Sequence, residues 1–111
     1  MIGFRFLSAF ILTAIAIYPA LAESGLAAFY SGGRTASSEV TAPTGLTAAH
    51  GTLPFGTRVL VTNLRNGKTV VVRIVDRGPY GRGRVIDVSR AAARELDMIS
   101  AGTTMVSIER Q

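Results

Sequence analysis

The sequence contains no cysteine, no tryptophan and one histidine in 111 residues. Without cysteine the chain can form neither disulfides nor thiolate metal sites, and it has no cysteine nucleophile. A zinc site would need carboxylates to complete the ligands around His50, so we expect no metal ion and no cofactor. A domain this small that lacks disulfides must gain its stability from a closed, well-packed core.

Long apolar runs are missing except near the start, where residues 6–18 are almost wholly apolar. A short basic segment precedes this run, and Pro19-Ala20-Leu21-Ala22 follows it with the small-x-small pattern of a cleavage site. This order is typical of a secretory signal peptide cleaved after Ala22. The run is shorter than the roughly 20 residues of a transmembrane helix, although an uncleaved anchor is the alternative.

The expected organisation is therefore a signal peptide at 1–22 and one domain at 23–111. We expect an exported protein of the periplasm or cell envelope, without a membrane anchor once the signal is removed. A lipid anchor would need a cysteine at the cleavage site, so a lipoprotein is not expected. We also expect a monomer.

Acidic residues are few, with seven against twelve basic residues and a net charge of +5. In an exported protein this surplus favours an anionic polymer or a membrane surface as partner over nucleic acid. The basic residues are scattered singly, so solubility is an alternative explanation of the charge. Aromatic residues do not alternate with them as they do in single-strand binders, and we expect no nucleic-acid partner.

The pattern of apolar residues predicts a mainly β fold with six short strands and one short helix late in the chain. The Asn66-Gly67 pair predicts a tight hairpin, and Ser89 is the predicted N-cap of the helix. Residues 34–45 predict a surface loop, and 46–50 a brief strand or a single helical turn. The predicted strands are 25–30, 46–50, 58–62, 69–75, 84–88 and 103–108, and the helix is 90–96. A small closed barrel satisfies this pattern and leaves no exposed strand edge.

The β-branched run 70–75 ends at Asp76-Arg77-Gly78-Pro79, which cannot continue a strand. Asp76 therefore lies where a rigid strand gives way to a turn, a place that can present a polar side chain to a ligand. From these residues alone two interpretations stay open. Asp76 is either the central acid of a site or a cap of the turn that follows it.

Several motifs, in this order, resemble the rare lipoprotein A family of septal lytic transglycosylases, which have a double-psi β-barrel. They are Thr-Ala-Ser-Ser-Glu (35–39), Leu-Thr-Ala-Ala-His (46–50), Leu-Pro-Phe-Gly-Thr (53–57), Val-Thr-Asn (61–63), Asn-Gly (66–67), Asp-Arg-Gly-Pro-Tyr (76–80) and Arg-Val-Ile-Asp-Val-Ser (84–89). The resemblance implies a six-stranded double-psi barrel with one or two short helices. It implies cleavage of peptide-free peptidoglycan strands between N-acetylmuramic acid and N-acetylglucosamine, leaving 1,6-anhydro ends.

The family's site residues map onto Asp76, His50 and Glu39 as predicted catalytic residues. Ser38 stands where the family has glycine, so the loop that carries Glu39 departs from the pattern; by default Glu39 is a solvated carboxylate. His50 beside an apolar run is by default structural, and the resemblance places it near Asp76, bonding to it or positioning substrate.

The predicted substrate-binding residues are Arg77, Tyr80, Tyr30 and Thr47. We expect Arg77 to point at Asp87 or at the substrate, because an ion pair with Asp76 would oppose proton donation. The tyrosines would stack on sugar rings, or else pack the barrel rim.

Two other functions compete with the transglycosylase. The first is a non-catalytic, expansin-like module that binds or loosens the wall, since the same barrel serves proteins of that kind. The second is a secreted inhibitor or effector that acts on the wall of another organism.

Overall fold

The computed structural model describes residues 22–31, 33–37, 40–41 and 45–111. This part of the chain forms eight strands and one helix. The strands are β1 (Ala22–Tyr30), β2 (Gly33–Arg34), β3 (Val40–Thr41), β4 (Thr47–Ala49), β5 (Arg58–Asn63), β6 (Thr69–Asp76), β7 (Arg84–Ser89) and β8 (Thr104–Arg110), and the helix is α1 (Arg90–Glu95).

Six of these strands close into a barrel in the order β1-β7-β4-β6-β5-β8, with β8 pairing back to β1. The pairs β1–β7 and β4–β6 are parallel, and the other pairs are antiparallel. The strands β2 and β3 form a separate two-stranded ribbon. The prediction of a mainly β, six-stranded barrel with a short helix is therefore confirmed.

The barrel is filled by alternate residues of its strands. In β5 and β8 every second side chain is buried, as the period of two requires for strands with one face toward the core. The helix α1 adds Ala92 and Ala93 to this core, and Leu96 follows them. The buried cluster consists of Ala27, Ala48, Val59, Val61, Val70, Val72, Ile74, Ile86, Val88, Ala92, Ala93, Leu96, Met98, Val106 and Ile108.

The predicted turn and cap are confirmed. Gly67 has φ +79°, which suits glycine, and the β5–β6 hairpin forms around it. Ser89 has extended backbone angles, and its side chain accepts a hydrogen bond from the Ala92 backbone N–H, as an N-cap does. The segment 46–50 contains a strand rather than a helical turn, and the predicted surface loop 34–45 includes the short strand β3.

Within the described residues, no helix has the length and apolar character needed to span a bilayer. Residues 1–21 of the predicted signal peptide lie outside the described residues. Ala22, the residue before the predicted cleavage point, is the first residue of β1 and pairs with Glu109.

Candidate active site at one end of the barrel

The strand directions bring distant parts of the sequence to one end of the barrel. The parallel strands β4 and β6 both end there, and β8 ends there too. The antiparallel strand β5 begins there, and β1 begins beside the end of β8. As a result Asp76, His50, Glu23 and Arg110 lie at the same end, although the sequence separates them widely.

Asp76 is the last residue of β6, and its carboxyl group is held by backbone groups. Its Oδ1 accepts hydrogen bonds from the backbone N–H of Ala36 and of Arg77, both at 2.9 Å. Its Oδ2 makes no hydrogen bond within the described ranges. Asp76 is half-buried, and Gly78 at φ +119° turns the chain away just after it. The carboxyl group is therefore fixed through one oxygen while the other can exchange a proton with a ligand.

His50 is buried, and its imidazole is held at both nitrogens. Nδ1 accepts hydrogen bonds from the backbone N–H of Thr52 and of Leu53, each at 3.1 Å. Because Nδ1 faces two donors, we assign the ring proton to Nε2, which donates to Glu23 Oε1 at 2.9 Å.

The contact between His50 and Asp76 is made by the backbone, in which the His50 N–H donates to the Asp76 carbonyl at 3.1 Å. His50 therefore lies near Asp76, as expected, through this backbone contact. The alternative in which the imidazole bonds to the carboxyl group of Asp76 is not what the described residues show, because the imidazole is engaged by Glu23 and by the 52–53 backbone.

Arg77 forms hydrogen bonds to the segment that follows β4. One guanidinium nitrogen donates to the carbonyls of His50 at 3.2 Å and Leu53 at 2.7 Å. The guanidinium carbon lies 4.2 Å from the centre of the Phe55 ring. Of the two expected directions for Arg77, the one toward Asp87 is wrong, because Arg84 on the same strand pairs with Asp87. The expected contact of Arg77 with substrate stays a prediction.

The other predicted residues are placed as follows. Tyr30 and Thr47 are hydrogen-bonded to each other through their hydroxyl groups at 2.8 Å. Tyr80 is 87% exposed beside the Asp76 turn. The predicted contacts of all three with substrate stay predictions. Glu39 lies outside the described residues, so its predicted role also stays a prediction.

A cavity of about 320 Å³ opens beside His50. It is lined by Ala22, Glu23, His50, Thr52, Leu53, Val59, Ile108 and Arg110. Sequence reasoning missed Glu23, which lay next to the predicted cleavage point and matched no motif. Only the pairing of Glu23 with Ile108 in the β1–β8 ladder brings it to this end of the barrel.

The Asp76 carboxyl group is of a kind that can transfer protons. Among the described residues, no group of three or more His, Cys, Asp or Glu side chains is placed to hold a metal ion. Within the described residues, the site offers one carboxyl oxygen of Asp76 that has no hydrogen-bond partner, on a strand that ends at the same end of the barrel as the cavity. Such a group can give a proton to a bound ligand and take one back.

Over most of its length, the chain is similar in sequence to proteins named as peptidoglycan transglycosylases. A sequence model of the family described as lytic transglycolase matches residues 22–108. A Nostoc sp. protein named probable endolytic peptidoglycan transglycosylase RlpA is 56% identical over 95 residues, which cover 80% of this chain and 26% of the relative. A Treponema pallidum protein of the same name is 53% identical over 94 residues, which cover 81% of this chain and 30% of the relative. The Escherichia coli protein named endolytic peptidoglycan transglycosylase RlpA is 50% identical over 91 residues, covering 78% of this chain and 25% of its own. The chain thus spans less than a third of these relatives.

Solved structures share the fold at lower sequence identity. An aspartate-to-asparagine mutant of Clavibacter michiganensis expansin in complex with cellohexaose superposes with a TM-score of 0.69 and 23% identity, over 82% of this chain and 50% of that one. A Streptomyces papain inhibitor has a TM-score of 0.67 and 22% identity, over 85% and 98%. At these identities the likeness shows the double-psi β-barrel fold alone.

Proposed function

Because this chain belongs to the lytic transglycolase family, we propose that it is an endolytic peptidoglycan transglycosylase. It would cleave peptide-free glycan strands between N-acetylmuramic acid and N-acetylglucosamine and leave 1,6-anhydro ends, in remodelling of the cell wall. The names of its relatives support the activity and the substrate. The structural observation that carries the proposal is the Asp76 carboxyl group, with Oδ1 held by two backbone donors and Oδ2 without a hydrogen-bond partner among the described residues.

In this mechanism Asp76 is both acid and base. Its Oδ2 donates a proton to the bridging oxygen as the bond from that oxygen to the anomeric carbon breaks. The C6 hydroxyl of the same sugar then attacks the anomeric carbon and returns its proton to Oδ2. Ordinary glycosidases use two carboxyl groups, but an intramolecular nucleophile removes the need for the second. Effective molarities of roughly 10⁵–10⁸ M for well-oriented groups indicate how much such proximity contributes.

The remaining site residues support this step in different ways. Arg77 holds the 50–55 segment against the end of β6 through two carbonyls, and so positions the region beside Asp76. Tyr80, exposed next to the turn, is proposed to stack on a sugar ring. Glu39 is kept as a second proposed acid on the strength of the family resemblance, and Tyr30 and Thr47 as proposed substrate contacts.

The substitution Asp76→Asn tests the proposal. Asparagine still offers an oxygen to the Ala36 and Arg77 N–H groups, so the turn should fold, but its amide cannot act as an acid. We expect release of anhydro-ended fragments from peptide-free glycan to fall by about 10²–10⁴-fold, as measured by mass spectrometry of the products.

Asp97→Asn is the matched control. Asp97 is exposed, lies in the turn after α1, and has φ 54°, a conformation that asparagine tolerates. We expect this variant to keep wild-type activity. Products from the wild type that carry only hydrolysed ends, which are one water heavier, would contradict the transglycosylase mechanism, as would full activity of Asp76→Asn.

A wall-binding or wall-loosening module is the second candidate, supported by the shared fold with an expansin that binds cellohexaose. It predicts that the protein sediments with purified sacculi without releasing soluble fragments. It also predicts that Asp76→Asn behaves like the wild type in both assays. The digestion experiment above therefore separates the two functions.

The proposed substrate places the protein outside the cytoplasm. We propose that residues 1–22 direct export and are removed, that the domain starting at Glu23 works in the periplasm or cell envelope without a lipid anchor, and that it is a monomer. The named activity of the relatives supports an extracytoplasmic location.

A further inference from the structure

The cavity beside His50 combines an apolar wall with charged groups. Leu53 contributes a partly exposed apolar side chain to it, with the buried Val59 and Ile108 behind, and Glu23 and Arg110 contribute opposite charges. Its volume of about 320 Å³ is at the lower end of the range typical of small-molecule sites. Asp76 does not line the cavity, but it lies at the same end of the barrel.

Glu23 presents a fixed acceptor to this cavity. Its Oε1 accepts from His50 Nε2 at 2.9 Å, and the side chain is 48% exposed. The His50 ring cannot turn without losing the two backbone donors at Nδ1. Within the described part of the chain, Oε2 of Glu23 has no hydrogen-bond partner. The carboxylate is therefore held in place by one oxygen and can accept a hydrogen bond from a ligand with the other.

A hydrogen-bond acceptor beside an apolar surface suits an acetamido group, which has an N–H donor and a methyl group. We propose that this cavity binds the 2-acetamido group of a sugar, with its N–H donating to Glu23 and its methyl group against Leu53. Arg110 supplies a donor for the amide carbonyl. The inference rests on the proposed function in taking a glycan as the ligand, and it makes Glu23 a specificity-determining residue.

A sugar without this group fills the cavity less well. A plain hexose presents a hydroxyl group at the same position, which can reach the carboxylate but leaves the apolar wall without a partner. The loss of one methyl-sized contact in a hydrophobic pocket typically costs 10–200-fold in discrimination. The cavity thus favours N-acetylated glycans over cellulose-like glycans.

The matched ligands for the test are the β-1,4 tetramers of N-acetylglucosamine and of glucose. Calorimetric binding is measured on a chain that keeps Ala22, which lines the cavity, and that carries Asp76→Asn, which suppresses turnover. We expect the acetylated tetramer to bind at least about tenfold tighter than cellotetraose. Adding Glu23→Gln should weaken the acetylated tetramer about tenfold and leave cellotetraose within about twofold. The reason is that the glutamine oxygen must accept from His50, which turns its NH₂ group toward the ligand's own N–H.

Two further variants complete the design. Glu109→Gln changes a carboxylate on the neighbouring position of β8, on the strand face opposite Ile108, and should leave both affinities unchanged. Leu53→Ala shortens the apolar wall while its backbone still bonds to His50 and Arg77, and should weaken only the acetylated tetramer, by several-fold.

The outcomes separate this inference from the proposed function. Equal affinity for the two tetramers, or acetylated-tetramer binding that Glu23→Gln does not alter, overturns the acetamido site even if the wild type releases anhydro ends. Binding that depends on Glu23 in a protein that releases no anhydro ends supports the acetamido site and counts against the transglycosylase.

Discussion

At the scale of single residues, His50 acts by positioning its neighbours. Its Nδ1 gathers two backbone N–H groups of the segment after β4, and its Nε2 fixes the carboxylate of Glu23. Both ring nitrogens are thus occupied by the protein itself. His50 therefore shapes the cavity wall and its acceptor, and its predicted catalytic role stays a prediction.

The substitution His50→Ala should lower the stability of the domain. It leaves the N–H groups of Thr52 and Leu53 without an acceptor, and each such loss typically costs about 1–3 kcal/mol when water cannot replace it. Since these groups are only partly buried, we expect a total loss of about 2 kcal/mol in the free energy of unfolding, measured by urea denaturation. Glu23→Gln, which keeps an acceptor for Nε2, should cost under about 1 kcal/mol. Equal stability of His50→Ala and wild type would contradict the positioning role.

Some features of single residues could be predicted from the sequence, and others could not. Asp76 could be predicted because a β-branched run ends at a residue that a turn must follow. The partner of His50 could not, since Glu23 lies 27 residues away and matches no motif. Arg77 was expected to point at Asp87 or at the substrate, because an ion pair with Asp76 would oppose proton donation. In the fold, the 50–55 segment offers its guanidinium group two carbonyls and an aromatic ring.

At the scale of elements, Ser89 joins the helix to the barrel. Its hydroxyl accepts from the backbone N–H of Ala92 at 3.2 Å and of Thr47 at 3.3 Å, and donates to the Gly45 carbonyl at 2.7 Å. One side chain thus caps α1 and ties it to the start of β4, the strand that leads into His50. The sequence predicted the cap from residue type and position, but not the two bonds to the β4 segment.

Ser89→Ala should destabilise the domain by about 2 kcal/mol, the upper end of the usual cost of losing an N-cap, because the bonds to β4 are lost with it. In a domain of this size that corresponds to a fall of about 10 °C in Tm, measured by calorimetry. Ser89→Thr keeps the hydroxyl group and should recover most of the loss. A Tm of Ser89→Ala within about 2 °C of the wild type would show that these hydrogen bonds contribute little.

At the scale of the whole molecule, the barrel closes on itself and hides the edges of its six strands. Closure removes the unpaired backbone groups that lead sheets to associate. It also explains how a small domain without disulfides can be stable, since the buried residues from all six strands form one core. The ladder between β1 and β8 includes Glu23 paired with Ile108, so removal of Ala22 leaves the site end of the barrel paired.

The exported protein should therefore be a monomer that begins at Glu23. Native mass spectrometry of the protein purified from the cell envelope measures both properties together, because the intact mass reports the first residue and the oligomeric state. A mass that includes the apolar segment 6–18, or a dimer at micromolar concentration, would contradict this prediction.

The sequence by itself determined five of the six barrel strands (β1 and β5 to β8), the hairpin, the helix cap and the position of Asp76. These depend on local chemistry, namely β-branched residues, the Asn66-Gly67 pair, and a Gly-Pro pair that ends a strand. Only the tertiary structure decided which side chains meet at the barrel end, because parallel and antiparallel pairing bring residues from both ends of the chain to one place. The pairing of Glu23 with His50, and the cavity they share, follow from that closure and from no local pattern.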